Sequence, residues 1–404
     1  GVILIKTKRG FSQKGLGVSV SHSLIWDKAY RTADFQNQFG VGAHTNDWLT
    51  NAAGELAINT AQYGYSFGPE MTGQTFRDIT GELRQNNPMP NNILDLFRTG
   101  STNNSNISVT GGSENGTFRM SYSRNDARGV TPGNDFGRHS LNLRATQRLL
   151  GKVMIDGNVT YVKSNSYNPA EQGSAGILRN FAYGGARNYD TKYWMSHYID
   201  PVNGGSERNR DFSDLSNSAF FPLFENQASK IDNNFRGSID IKAPLFEGLE
   251  FQGTTSVNYI GTNFEKKTRG RDNGFANPGY SSSIRNVTVA RYRANLNYNK
   301  LMGDFDLLLQ GGGEINTSTS KEASYNTNGG ILPDIYRLSN SKNPVSISER
   351  PPYQTQLSSL FYQGSLAFRN YLTLNVYGRN DWNSTLVYND GHGKFSYFYP
   401  GVDL

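Results

Sequence analysis

Residues 289–298, VARYRANLNY, decide the fold class. From Ala290 onward an apolar or aromatic side chain takes every second position, with an arginine or asparagine between. Successive side chains of a strand point to opposite faces. Ala290, Tyr292, Ala294, Leu296 and Tyr298 therefore share one face, and Arg291, Arg293, Asn295 and Asn297 share the other. Such a strand lies between two different environments, and the class of the protein turns on what each face meets.

The same design recurs along the chain. Val18 and Val20 alternate with Ser19 and Ser21; Phe118, Met120 and Tyr122 with Arg119, Ser121 and Ser123; Leu141, Leu143 and Ala145 with Asn142, Arg144 and Thr146; Leu372, Leu374 and Val376 with Thr373, Asn375 and Tyr377. Many strands come in pairs around turn residues, as at Asn115-Gly116, Leu150-Gly151 and Arg369-Asn370, which predicts hairpins. About 11 strands and few helical patterns predict one large antiparallel sheet. Long segments rich in Asn, Gly, Ser, Pro and aromatics separate the hairpins at about 27–104, 163–232, 261–284 and 316–354. Within them QTFRDITGELRQ (74–85) and AGILRNFAYG (175–184) read as short helices.

Short connections on one side and long ones on the other suit an outer-membrane barrel, whose strands show lipid one face and a wet lumen the other. A soluble sandwich predicts the same alternation. Strands near ten residues favour the tilted membrane crossing.

Composition narrows the chemistry. The 404 residues include 44 Gly, 23 Tyr and 23 Phe, with 18% charged and 36% hydrophobic, and lack the runs of good helix formers a helical protein needs. With no cysteine there is neither disulfide nor thiolate chemistry. The five histidines, His22, His44, His139, His197 and His392, form no ligand motif. Lys+Arg at 40 against Asp+Glu at 34 gives a net charge of +6 without a basic block, so nucleic acid is not indicated. No apolar run is long enough for a membrane helix. GRDNG (270–274) and GRNDWN (378–383) have the oxygen-rich look of calcium loops, but lack EF-hand spacing and read equally as turns. No cofactor is otherwise expected. NVT (286–288) fits a glycosylation sequon but falls in a strand. No carboxylate pair or nucleophile motif marks an enzyme.

GVILIKTKRG (1–10) resembles the strand that closes the plug domain in TonB-dependent outer-membrane transporters, and the SusC/RagA-like branch typical of Bacteroidetes is the close match. FQNQFGVG (35–42), YSFGPEMTGQ (65–74), the stretch from Asn91 to Leu143, LTLNVYGRNDWNSTL (372–386) and YFYPGVDL (397–404) resemble that branch too. The resemblance implies an all-β transmembrane antiparallel barrel of about 22 strands around a plug. Residues 1–13 would be the last strand of the plug, and 14–404 the N-terminal half of the barrel with long extracellular loops. The remaining plug and barrel would then lie elsewhere in the same transporter or on a separate chain, because an open half-barrel leaves unpaired edges that a bilayer does not tolerate.

The resemblance further implies import of an oligosaccharide or oligopeptide across the bacterial outer membrane, energised by TonB-ExbB-ExbD. A SusD-like surface lipoprotein would form the lid, with a dimer of transporter–lid pairs as a compatible assembly. Arg119, Arg144, Arg291, Arg293 and Asn295 are the expected lumen or substrate-facing residues, their donors orienting polar cargo or satisfying neighbouring carboxylates. Tyr183, Tyr189, Tyr193, Trp194 and Tyr198 crowd one long segment, where they would contact lid or sugar or hold the loop together. Trp26, Trp48 and Trp382 suit membrane-interface or loop-packing positions. An adhesin, a passive porin or a carbohydrate-active enzyme are the rival readings.

Overall fold

The computed structural model describes residues 8–11, 13–59, 65–78, 81–169, 186–199, 204, 220–270, 278–332, 334–369, 371–388 and 390–404. The chain enters β1 (Gln13–Asp27). The long segment that follows carries a small sheet of β2 (Trp48–Thr50), β3 (Leu56–Ile58), β4 (Thr75–Arg77) and β5 (Leu83–Gln85). The short helix expected over 74–85 is therefore replaced by two strands. Asp78 and Gly81 turn the chain, with Asp78 N donating to Glu82 O at 2.9 Å and Gly81 at φ 83°, and a tight turn of this kind interrupts the helical ladder.

Then come β6 (Gly100–Gly112), β7 (Gly116–Arg128), β8 (Asp135–Leu149), β9 (Val153–Tyr167), β10 (Gln227–Phe246), β11 (Leu249–Thr268), β12 (Gly279–Met302), β13 (Phe305–Gly330), β14 (Ser341–Phe368), β15 (Leu372–Asn383) and β16 (Ser396–Asp403). With β1 they form one antiparallel sheet of 12 strands in sequence order, one more than the period-two count predicts. Among the described residues between β9 and β10 there are two six-residue helices, α1 (Thr191–Ser196) and α2 (Phe220–Glu225). No described helix is long and apolar enough to cross a membrane.

The connections alternate as expected. Turns at 113–115, 150–152, 247–248, 303–304 and 369–371 close one rim, whereas 28–99, 168–226, 269–278, 331–340 and 384–395 lie at the other; 129–134 is the short exception there. Within the 150–152 turn Leu150 and Gly151 both have positive φ, 49° and 69°, and Lys152 N donates to Leu149 O at 3.0 Å, a β-turn whose twist matches that of the flanking strands.

Two segments expected as loops are largely strand. β11 and β12 pair as far as Thr268 and Gly279, and β13 and β14 as far as Gly330 and Ser341. Alternation betrays a strand only where its two faces meet different surroundings. The polar run TSTSKEASYNTN (317–328) has similar residues on both faces, so the ladder there is invisible to period.

Register builds an apolar band across one face. Val18, Val109, Met120, Leu143 and Val159 stand in one row on β1 and β6 to β9, continued by Val257 and Ala290 on β11 and β12. Val18, Met120, Leu143 and Val159 of this row are exposed, as are Tyr292 at 54% and Leu296 at 46% on the same face of β12, while Asn295 on the other face is 4% exposed. The polar face is the enclosed one. A soluble fold hides its apolar side; this sheet presents it outward. The polar face is thus the inner face and the apolar face the outer one.

Candidate functional site on the inner wall and rim

The expected arginines come together on the inner face in two adjoining rows. Register sets Arg119 opposite Arg144, and the same row continues through Asn158, Ser238 and Ser256 to Arg291. The neighbouring row runs Asp156, Asp240, Thr254, Arg293, Glu314, Ser359 and Asp381. Carboxylates thus lie one step from guanidinium groups.

Arg144 grips Asp156 with both arms, Nε to Oδ1 at 2.9 Å and Nη2 to Oδ2 at 2.7 Å. This is the fork geometry that arginine matches to a carboxylate. Arg291 donates to Glu314 Oε2 at 2.5 Å, and Asn316 holds the other oxygen at 2.6 Å. Arg379 pairs with Asp381 at 2.7 Å and donates to Ser359 at 2.8 Å. Thr254 donates to Asp240 at 2.8 Å. Asn295 donates to Asn297 at 3.0 Å.

Arg293 differs. Its Cζ lies 4.7 Å from the centre of the Phe361 ring, and its Nε is buried without a hydrogen-bond partner among the described residues. Arg119 has no carboxylate partner among the described residues, and it faces an arginine that Asp156 already neutralises. The wall thus combines satisfied ion pairs with two arginines whose charge is not matched locally.

The segment before β1 touches this wall. Arg9 pairs with Asp156 at 3.1 Å, so one carboxylate serves a strand arginine and an arginine ahead of the sheet. Gly10 lies so close to β7 that a Cβ there would sit 2.5 Å from the Phe118 carbonyl oxygen.

At the looped rim, residues from distant segments build a second, compact unit. Arg187 is 5% exposed and donates to Gln36 O at 3.0 Å, Asn37 Oδ1 at 2.8 Å, Pro90 O at 2.9 Å and Asn92 Oδ1 at 2.5 Å. Burial lowers its pKa, since desolvation disfavours the cation. Asn188 donates to Asn86 at 2.8 Å and accepts from Val41 N at 3.0 Å. Asp190 caps α1, accepting from Tyr193 N at 3.0 Å. In the small sheet, paired hydrogen bonds from Arg77, aided by Asn51, hold the Glu55 carboxyl down at about 2.

Four of the five aromatic candidates belong to this unit. Tyr189 and Trp194, 3% and 5% exposed, pack with Leu96 and Phe220 in its core. Tyr193 is partly buried, carries Arg84 over its ring at 3.5 Å and donates to Glu82 at 2.9 Å. Tyr198 donates to Glu225 at 2.7 Å, and burial together with that carboxylate pushes its hydroxyl up to about 12. Tyr183, like AGILRNFAYG and most of GRDNG and GVILIKTKRG, lies outside the described residues. Trp48 packs on Phe76 with ring centres 5.3 Å apart, whereas Trp26 is 67% exposed at the top of β1. Among the described residues no group of three or more His, Asp or Glu is placed to hold a metal ion.

Sequence reasoning located the arginines but missed Asp156, Glu314 and Arg187. Alternation places Asp156 and Glu314 on the inner face, yet their pairing needs the register between strands. Arg187 sits in GGARNYD (184–190), which has no period at all.

No protein-family model and no curated protein matches the chain. Among solved structures, the RagAB peptide importer in its 'open-open' state superposes with a TM-score of 0.71 at 17% identity, over 98% of this chain and 44% of that chain. The 'closed-closed' state gives 0.70 at 16%, over 98% and 45%. A further RagAB peptide transporter structure gives 0.60 at 16%, over 77% and 35%. The chain spans less than half the length of these proteins. The motifs in the sequence and the superposition converge, and this chain has the fold of the SusC/RagA-like TonB-dependent outer-membrane transporters.

Proposed function

We propose that this chain forms part of the wall of an outer-membrane importer for a large nutrient, energised by TonB-ExbB-ExbD and covered by a SusD-like surface lipoprotein. The observation that carries this reading is the sheet's polarity. A polar face lined with arginine and carboxylate is enclosed, the apolar face is open, and nearly all long connections gather at one rim. That is the layout of a strand wall between lipid and a wet lumen. Among the described residues β1 and β16 each have one neighbour in the sheet, and a bilayer requires those edges to be paired. In this reading further strands complete the barrel, and the residues ahead of β1, which itself begins at Gln13, belong to the end of its plug.

Cargo in this reading is bound without acid–base chemistry, by donors and acceptors in a wet concavity. The likeness to the RagAB peptide importer makes oligopeptides the first class to test, with oligosaccharides second. No enzymatic activity is assigned.

The test uses cells expressing the complete protein and its lipoprotein partner, supplied with labelled peptides or oligosaccharides, with and without the TonB system. Uptake that disappears when TonB is removed is expected. Uptake that persists would indicate a passive porin, and surface binding without uptake would indicate an adhesin.

A further inference from the structure

The outer face has a second band just above the apolar one. Tyr122, Tyr161 and Tyr259 stand at its lower border with their hydroxyls engaged: Tyr122 with His139 Nδ1 at 2.7 Å, Tyr161 donating to Asn233 at 2.9 Å and Tyr259 to Asn286 at 2.9 Å. Rings facing the apolar band and hydroxyls turned to polar partners are the arrangement of an aromatic belt at a membrane interface.

One step further from the apolar band, register sets His22, Ser105, Arg124, His139 and Lys163 side by side on β1, β6, β7, β8 and β9. All five are exposed. With neighbouring strands about 4.8 Å apart the row spans roughly 19 Å. It contains no acid. Asp126 stands one step higher and takes Arg124 with both oxygens, Nε at 2.6 Å and Nη2 at 3.3 Å, while His22 shares a hydrogen bond with Ser105 at 3.1 Å. Across β10 to β12 the row continues as the uncharged Asn233, Gly261 and Asn286 and reaches a further exposed lysine, Lys321, only on β13, so three uncharged strands separate the cluster on β1 to β9 from the next cation.

We infer that this row is a docking strip for the phosphate of an outer-leaflet lipid headgroup, an inference that rests on the outer-membrane reading above. Charge and depth both select that occupant. A strip immediately beyond an aromatic belt lies at headgroup level, where cations meet anionic lipid. Lys163 offers a point charge, Arg124, whose Nε and Nη2 rest on Asp126, has further N–H groups to share with a phosphate, and Ser105 with the two imidazoles supplies hydrogen bonds. Because three uncharged strands separate Lys163 from Lys321, the strip holds one or two headgroups at a fixed place on the wall rather than a continuous ring.

The complete protein is reconstituted in vesicles containing a phosphorylated outer-leaflet glycolipid or its dephosphorylated form, and retained glycolipid is counted by native mass spectrometry after mild extraction. Protease protection of the strands is scored separately. The expected result is retention of the phosphorylated form only, about tenfold weaker in Arg124→Ser/Lys163→Ser and unchanged in Lys300→Ser at the opposite rim. Equal retention of both forms by the unaltered protein, or a double variant that inserts and retains lipid normally, overturns the docking strip. Failure of the unaltered protein to insert overturns the membrane reading itself and the strip with it.

Discussion

Asp156 holds Arg144 on its own wall and Arg9 from the segment ahead of the sheet, and both partners of the Arg144 pair are about nine-tenths buried. Asp156→Asn leaves an enclosed guanidinium without its counter-charge, a loss of about 3 kcal/mol. By contrast Glu322→Gln, at an exposed pair with Arg350 separated by 3.8 Å, is expected to change stability by under about 0.5 kcal/mol. Urea denaturation of the complete reconstituted protein checks both; equal midpoints for the two variants would refute the ranking. The sequence makes half of this legible. Alternation alone puts Arg144 and Asp156 on one face, because side-chain direction is set by parity. That they meet depends on the offset of two strands around Leu150-Gly151, which residue types constrain only through the turn. Arg187 is less legible still, since its acceptors Gln36, Asn37, Pro90 and Asn92 lie roughly a hundred residues or more away, and no local pattern encodes such a contact.

At the scale of elements, the upper part of β14 poses a specific problem. β15 pairs with β14 only from Leu357 to Phe368, so residues 341–356 have a strand neighbour on the β13 side alone among the described residues. An open edge of that length invites other chains to pair with it. The sequence there is SKNPVSISERPPYQTQ. Pro351 and Pro352 stand opposite Lys321 where the register shifts between Ser320 and Glu322, and Pro344 lies nearer the tip. Proline has no N–H to offer a ladder, and the shift bends the edge. Pro351→Thr/Pro352→Thr should therefore promote self-association of the detergent-purified protein, seen as a higher-order species in size-exclusion chromatography with light scattering; a monodisperse variant would show that other features guard the edge. These same residues explain why the strand was hidden in the sequence. Proline and serine argue against a central strand, and above the apolar band no alternation remains to outweigh them. Within the band, where the outer and inner faces differ in polarity, Phe118 to Tyr122 and Leu372 to Val376 announce their strands plainly.

For the whole molecule, the decisive issue is which solvent the open apolar face meets, and the absence of cysteine makes it directly measurable. Single cysteines replace Leu143 in the apolar band, Ser256 on the inner wall and Ile331 at the tip between β13 and β14. In vesicles holding the complete protein, an aqueous thiol reagent should label Ile331→Cys fastest and Ser256→Cys more slowly. A fluorophore preattached at Leu143→Cys should be quenched by spin-labelled lipid. A soluble sandwich would shield Leu143 from lipid and reagent alike. The height of the wall has a further consequence. β13 has 26 residues, about 85 Å along the strand at its usual rise, or roughly 65 Å of height at the tilt of outer-membrane barrels. In the membrane reading, an apolar band of about 25 Å leaves roughly 40 Å of ladder standing clear of the lipid. A peptide of about 12 residues, fully extended, covers that distance. If this wall serves import, a dozen-residue cargo can lie lengthwise alongside it before its leading end reaches the level of the bilayer.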